Sequence, residues 1–553
     1  MLRRLWYKIN TTVTGGAIII ALASILSRIL GLVRDRLLAS SFGAGDVLDT
    51  YYAAFKLPDL VFNILVLGAL SSAFIPVFIG YMSKRGQEDD KQGNQSMHEA
   101  WHVANSILNL LMVGLVACAI IFFIFARQLM PLIAPGFDPA KQLVTMHLTR
   151  VMLIAIIFFG ASNVATGILS SFRRYLNFSL APIMYNLGII LGIFVLVPRY
   201  GVYGLAYGVV IGSFAHLCIQ IPSLLKVGYR YRLTFDFHHP GVRKVGKLMV
   251  PRAFGLAVSQ VEQLMSTVIG STLAVGSVAV FNLANNLQSF PINVFGVSLA
   301  IAAFPVFSEA FARNDTEQFV QHFSKAFRRV IFLIIPTSIL ILLLRAQIVR
   351  VILGSGHFTW RDTYLTAQTL GFFSLSLFAQ ALIPMLARSF YAIHDTKTPV
   401  KIGILAVVIN VGTALLLTRY YGVVGLGISF SLANIVNMML LLIYLRRKVG
   451  FLDDRTIARS TVKIVFISAL MGLVVWGMKY FLALGVDMRT FVGILIQGAG
   501  AGVVGILCYI VLAMVFHCDE ISILTEKFNK MRTQLFNGKK KIPEEPQTPG
   551  GNV

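Results

Sequence analysis

Long apolar runs recur from residue 13 to residue 516, and many reach the roughly 20 residues a helix needs to cross about 30 Å of hydrocarbon. In lipid every backbone N–H and C=O must be satisfied internally, so such a chain folds as spanning helices or as a closed barrel. The runs are continuous rather than alternating, which excludes a barrel. Only 13% of the residues are charged and 56% are hydrophobic, whereas about 25% of the residues of soluble domains are charged. The expected fold is all-α and polytopic, with about 14 transmembrane helices. The spans are expected at 13–40, 48–81, 101–127, 146–173, 180–198, 203–226 and 247–273. The remaining seven are expected at 277–311, 326–350, 364–393, 399–418, 423–446, 460–484 and 490–516.

The net charge of +24 is unevenly spread. Alternate loops carry the basic clusters Lys84 and Arg85, Arg173 and Arg174, Lys226 through Lys247, Arg328 and Arg329, Arg388 and Lys397, and Arg446 through Arg459. The intervening loops carry mostly single cations such as Lys141, Arg199, Arg361, Arg419 and Arg489. This is the positive-inside pattern, and it places both termini in the cytoplasm. It also accounts for the basic excess without nucleic acid. No Cys/His cluster with metal spacing, phosphate-binding GxxxxGK[ST] loop or catalytic set appears, so no cofactor, metal or enzymatic activity is expected. After Cys518 the composition turns polar, with Lys539, Lys540 and Lys541, and reads as a disordered tail.

Two internal echoes organise the spans. Gly45, Pro58, Gly68 and Pro76 find counterparts in Gly276, Pro291, Gly296 and Pro305, at offsets between 228 and 233. Arg199 to Leu205 is matched by Tyr420 to Leu426 at offset 221. Two six-helix lobes related as parallel repeats fit this, with two C-terminal helices left over. The expected units are an N-terminal lobe 1–230, a C-terminal lobe 231–450, helices 13 and 14 in 451–518 and a cytoplasmic tail 519–553. Pro58, Pro76, Pro291 and Pro305 are expected to bend the second and eighth spans.

Charged residues inside these spans are the candidate site. A charge at mid-bilayer costs about 2.5–3.5 kcal/mol even on lenient scales, so it faces a bundle interior or a wet cavity. The run Ser27-Arg28-Ile29-Leu30-Gly31-Leu32-Val33-Arg34-Asp35, followed by Phe42-Gly43-Ala44-Gly45, Asp49, Ala54-Phe55-Lys56-Leu57-Pro58 and Ala73-Phe74-Ile75-Pro76, resembles the MurJ/MviN family. Phe304-Pro305 and Asp395-Thr396-Lys397-Thr398-Pro399-Val400-Lys401 resemble it as well. The likeness covers residues 13–516.

The resemblance implies a lipid II flippase of the multidrug/oligosaccharidyl-lipid/polysaccharide exporter superfamily in the bacterial cytoplasmic (inner) membrane. It implies two lobes around a cationic cavity, alternating access, and a groove for the polyprenyl tail on the last two helices. The drive it implies is the membrane potential or an ion gradient, with monovalent cation or proton coupling. The family's usual arginines in helices 2 and 8 are missing here. The matching stretches read Leu60-Val61-Phe62-Asn63 and Ala284-Asn285-Asn286-Leu287.

The residues weigh as follows. Arg28 and Arg34 offer planar forks suited to pyrophosphate oxygens. Asp35 is expected to orient and neutralise Arg34. Lys56, Arg252, Asn285 and Asn286 complete the expected substrate set. Asp49 is a gate candidate, and Glu262, a carboxylate well inside the seventh span, is a candidate for ion coupling. The partners expected are lipid II or a related polyprenyl-pyrophosphate lipid, membrane lipids and cell-wall synthesis proteins, with the chain acting as a monomer. The alternatives are a flippase for another polyprenyl-pyrophosphate glycan, a small-molecule or cation antiporter of the same superfamily, and a non-transporting scaffold for envelope synthesis. The topology is testable by single-cysteine labelling. Residues 91 and 237 should be accessible from the cytoplasm and residue 361 from outside, and external labelling at Phe237 overturns the orientation.

Overall fold

The computed structural model describes residues 13–67, 73–83 and 90–521. Among these residues there are helices and turns and no strand. The first half of the chain contains α1 (Val13–Phe42), α3 (Asp90–Ile133), α4 (Pro139–Ser171), α5 (Tyr175–Tyr200) and α6 (Tyr203–Lys226). Between α1 and α3, α2 is assembled from Asp46–Ala54, Lys56–Val61, the π-helical Phe62–Leu67 and Ile75–Ser83. Then come α7 (Pro240–Ser271), α8 (Ser277–Ala312), α9 (Thr316–Leu353), and α10 (Trp360–Leu375 and Leu377–Ala392, bent by 48°). The last four are α11 (Lys397–Tyr421), α12 (Val423–Val449), α13 (Asp454–Gly485) and α14 (Phe491–Val515). Ten of these are long and apolar enough to cross a membrane, or eleven with the bent pair α10. The expected first, second and seventh spans are helical too, but fall outside that count among the described residues.

Short polar signals set the helix starts. Asp138 accepts from the Lys141 N–H, with Pro139 in the first turn, and begins α4. Thr359 and Asp362 form a reciprocal capping box on α10. The repeats recur in the backbone. Gly201 and Gly422 end α5 and α11 with nearly the same dihedrals, φ 57° and 56°. Pro58 and Pro291 each precede a π-helical turn, Phe62–Leu67 and Ile292–Val297. Such turns leave the regular hydrogen-bond ladder and mark bends. Pro76 sits in the first turn of Ile75–Ser83, and Pro305 lies within the α-helical stretch Ser298–Ala312. Gly68 lies outside the described residues.

Packing differs at the two ends of the bundle. At the end bearing Gly45 and Gly276, one continuous core joins both halves, from Leu38, Leu48 and Tyr51 to Val278, Phe281, Leu353 and Phe430. At the opposite end there are two separate cores. One gathers Phe74, Phe78, Val103 and Leu169, the other Phe307, Phe323, Leu382 and Leu441. α7 bridges the halves, packing on α11 and also on α2 and α3. α13 and α14 pack on each other and on α9.

The connection into α7 is not loose. Buried Asn105 and Asn109 on α3 hold residues 229–234 as an extended strap: Asn109 donates to the carbonyls of Arg232 and Thr234 at 3.0 and 2.9 Å, and Tyr229 Oη donates to Asn105 at 2.7 Å. His102, with the backbone N–H groups of His239 and His238, holds the Asp236 carboxyl below its ordinary range.

Two expectations change. The short polar sequence His394-Asp395-Thr396-Lys397 between the tenth and eleventh spans predicts a solvated cytoplasmic turn, but the Asp395 side chain is only 12% exposed. It accepts from the Lys397 and Thr398 N–H groups and pairs with Lys448 on α12. Burial alone would raise its pKa; Lys448 and Thr398 outweigh that and hold it at about 2. The tail does not begin in disorder at residue 519. Asp519–Ile521 form a 3₁₀ turn, and Glu520 is buried against Arg328 at 2.7 Å. The rest of the tail lies outside the described residues.

α5 and α6 approach through glycine. A Cβ on Gly208 would fall 2.9 Å from the Gly192 Cα, whereas one on Gly412 meets nothing within 4 Å. Gly208→Ala should therefore force the pair apart and cost about 1–3 kcal/mol. Gly412→Ala should be neutral or slightly stabilising. Thermal unfolding of both variants in detergent measures the contrast, and equal midpoints would contradict the packing.

Candidate functional site

The intramembrane charges of α1 are engaged inside the bundle. Arg34 donates from Nε and Nη2 to Asp35 Oδ1 at 3.0 and 2.8 Å, and from Nη1 to Asn186 Oδ1 on α5 at 3.1 Å. Asn186 in turn donates to the Ser27 carbonyl at 3.1 Å. Asp35, 4% exposed, uses its second oxygen to accept from Asn286 Nδ2 on α8 at 3.1 Å. Adjacent residues on a helix point about 100° apart. Arg34 closes that angle by folding its long side chain back, which is how it reaches Asp35.

Two further contacts join α2 to the same face of α8. Lys56 Nζ donates to Asn282 Oδ1 at 3.4 Å. Asp49, 2% exposed, accepts from the backbone N–H of Gly276 at 2.8 Å and of Ala279 at 2.9 Å. It thus caps α8 from the other half, since Gly276 is the N-cap residue and brings no side chain of its own. Lys141 completes the group, 3.0 Å from Asp49 and 2.6 Å from Asp46. Asn286, Asn282, Ala279 and Gly276 follow helical spacing, so the three contacts form a ladder from mid-helix to the joined end.

Arg28 stands apart. It makes no hydrogen bond with a described residue, and its guanidinium lies 6.0 Å from the centroid of the Phe290 ring on α8. It lines a cavity of about 520 Å³ with Ser24, Ser27, Asn163, Thr166 and His216. Behind this lining, Ser162 Oγ lies 2.6 Å from His216 Nδ1 and accepts from Gln220 Nε2 at 2.6 Å. Glu262 is remote from this group. It accepts from Asn410 Nδ2 on α11 at 3.2 Å and lines a second cavity, of about 240 Å³, with Ser259, Asn434 and Asn437.

The structure therefore brings Arg34, Asp35 and Asn286 together and places Lys56 and Asp49 along the same seam. It does not bring Asn285 there. Asn285 Oδ1 accepts from Gln288, and Gln288 Oε1 from Gln380 on α10, inside the second half. Arg252 lies on α7, but its side chain is outside the described residues. The sequence reading missed Asn186, Asn282, Lys141 and Gly276. A lone asparagine inside an apolar span was the available signal for Asn186. Nothing in the pattern pointed to Gly276 as the acceptor-seeking end of a helix.

The chain is similar over most of its length to known proteins. The family model described as lipid II flippase MurJ matches residues 38–495. The chain belongs to the MurJ family. It is 28% identical over 431 residues to the lipid II flippase MurJ of Burkholderia cenocepacia, covering 77% of this chain and 82% of that one. It is also 28% identical over 508 residues to a MurJ relative from Vibrio cholerae, covering 90% and 95%. Among solved structures it is similar to a lipid II flippase MurJ in an inward closed conformation. There the TM-score is 0.73 at 25% identity, covering 91% of this chain and 100% of that one. An inward-facing MATE transporter shares the fold, with a TM-score of 0.65 at 17% identity over 79% of this chain and 99% of that one. This is a multi-pass membrane protein with the helical fold shared by MurJ and MATE transporters.

In this MurJ-family chain the ladder predicts strong coupling at Asp49. Asp49→Ala would strand two N–H groups and take a carboxylate from the Lys141 ammonium, a loss of about 3 kcal/mol. Lys141→Met would remove the other partner. A double-mutant cycle read by thermal unfolding should give a coupling energy of about 1 kcal/mol or more. Additive effects would mean that the ion pair carries no stability.

Proposed function

We propose that this chain moves lipid II from the cytoplasmic to the outer leaflet of the bacterial inner membrane by alternating access. The observation that supports it is the asymmetric closure: a polar ladder and one joint core at one end, two separate cores at the other. We assign the joined end to the outer face, both termini to the cytoplasm and fourteen crossings to the chain. The moving bodies are lobes 1–230 and 231–450, with 451–518 carrying the lipid tail and the chain acting as a monomer without cofactor or catalysis.

In the cycle so proposed, Arg28 meets the pyrophosphate first, because its fork bonds to no described residue in this conformation. Arg34 joins by exchanging Asn186 or Asp35 for substrate oxygens. That exchange loosens Asp35, hence Asn286, and so links substrate arrival to the seam between lobes. Glu262, with Asn410, Asn434 and Asn437, is the proposed seat of the coupling cation or proton in the second lobe.

The test is lipid II movement in proteoliposomes. A charge-assisted hydrogen bond contributes roughly 1.5–3 kcal/mol, so Arg28→Ala should weaken lipid II binding about tenfold to a hundredfold. Arg34→Ala should do the same and also lower the unfolding midpoint, because it frees Asp35 in the seam. Asn286→Arg, which restores the family's cation beside Asp35, should strengthen binding of an anionic headgroup. Wild-type flipping by both folded alanine variants would reject the mechanism, and no lipid movement by the wild type would favour the scaffold.

A further inference from the structure

Arg455 and Arg459 lie one turn apart at the start of α13, exposed, and neither bonds to a described residue. They border a cavity of about 410 Å³ enclosed by α9, the start of α13 and the turn after α14. The other charged groups of this corner have partners, the exposed Asp519 carboxylate only a long one, 3.8 Å from Arg328 Nη1. Glu520 accepts from Arg328 at 2.7 Å and from Ser460 at 2.9 Å. Lys463 donates to the carbonyls of Phe516 and His517 at 2.9 and 3.2 Å, closing the end of α14. What remains is a pair of like charges at i and i+4, a spacing at which they repel, beside the positive end of a helix. Arg328 Nε, buried without a partner, adds an unused donor to the same cavity.

The same face of α13 continues as hydrocarbon. Positions 455, 459, 462, 466 and 473 fall on one helical stripe. Val462 is 69% exposed, Phe466 51% and Leu473 67%. Phe466 meets the ring of Phe516, just after α14, at 5.8 Å, which broadens the apolar surface. Two arginines that bond to no described residue, followed directly by an exposed apolar stripe, match a headgroup phosphate followed by an acyl chain.

We propose that this corner binds an anionic phospholipid, with its phosphate between Arg455 and Arg459 and an acyl chain along Val462, Phe466 and Leu473. A headgroup with net negative charge is favoured because a zwitterion brings its own ammonium against the two arginines. The leaflet is the cytoplasmic one in the orientation proposed above, but the site does not depend on what the protein transports.

The test uses the full chain in a neutral detergent, titrated with phosphatidylglycerol, with phosphatidylethanolamine of the same acyl chains, and with inorganic phosphate. Bound lipid is counted by native mass spectrometry. The wild type should prefer phosphatidylglycerol. Arg455→Gln/Arg459→Gln should lose about thirtyfold in affinity for it, with binding of phosphatidylethanolamine unchanged. Arg455→Lys/Arg459→Lys keeps both charges and should retain the preference, which separates the site from a folding defect. Inorganic phosphate at millimolar concentration should not compete. Equal affinity of wild type and glutamine variant, equal binding of the two lipids, or loss of the preference in the lysine variant overturns the proposal. Competition by inorganic phosphate overturns it too, in favour of a free-anion site.

Discussion

The closed end of this protein depends on one carboxylate. Asp49 is almost fully buried, and an ionised carboxylate taken from water without partners costs several kcal/mol. It is tolerable only because two α8 N–H groups and the Lys141 ammonium surround it. The dependence is mutual. α8 starts at a glycine in a left-handed conformation, so its first N–H groups have no side-chain acceptor of their own. Each half therefore satisfies a need of the other, and separating the halves at this end exposes both at once. In the alternating-access cycle proposed above, water would compensate both when the end opens.

Deeper in the seam the chain solves a related problem with one ion pair and a neutral amide. Asp35 has two oxygens to satisfy. Arg34 takes one and the neutral Asn286 takes the other. An arginine at position 286 would leave a net positive seam; asparagine leaves the Arg34–Asp35 pair balanced. That lowers the self-energy of the empty protein and leaves Arg28 as the α1 arginine with no hydrogen bond to a described residue. The effect is a cavity whose attraction for an anion comes from a small number of donors, some of which must first give up internal partners.

The spans were legible because hydrocarbon thickness imposes a length and a composition that no loop shares. The repeat was legible because glycine and proline act on the backbone itself, so their spacing survives where side chains diverge. The pairing of the charges was not. Arg34 and Asp35 are adjacent in sequence and nominally diverge around the helix, and only the length of an arginine side chain lets them meet. Asn285 and Asn286 read alike, yet one turns into the second half and the other to Asp35, because that choice depends on where α10 and α1 sit. Asp49 read as a gate candidate through its position, but its acceptor role toward α8 is invisible without the approach of the two glycine turns.

That approach also explains why the repeat is not symmetric in chemistry. Gly45 and Gly276 occupy equivalent places, each just before the first turn of a helix, α2 and α8. A Cβ on Gly276 would collide with the Ala44 carbonyl, so the two turns are in backbone contact. Both helices direct the positive ends of their dipoles toward this place. Two such ends side by side repel unless negative charge lies between them. The repeat offset of 231 puts Val280 opposite Asp49, so only the first half carries the acid. The Asp49 carboxylate accepts from the start of α8, and the Lys141 ammonium bridges it to Asp46 in the first turn of α2. A matching acid at position 280 would add a second buried anion without a second cation to balance it. The broken symmetry is thus what allows a closure made of one ion group rather than two competing ones.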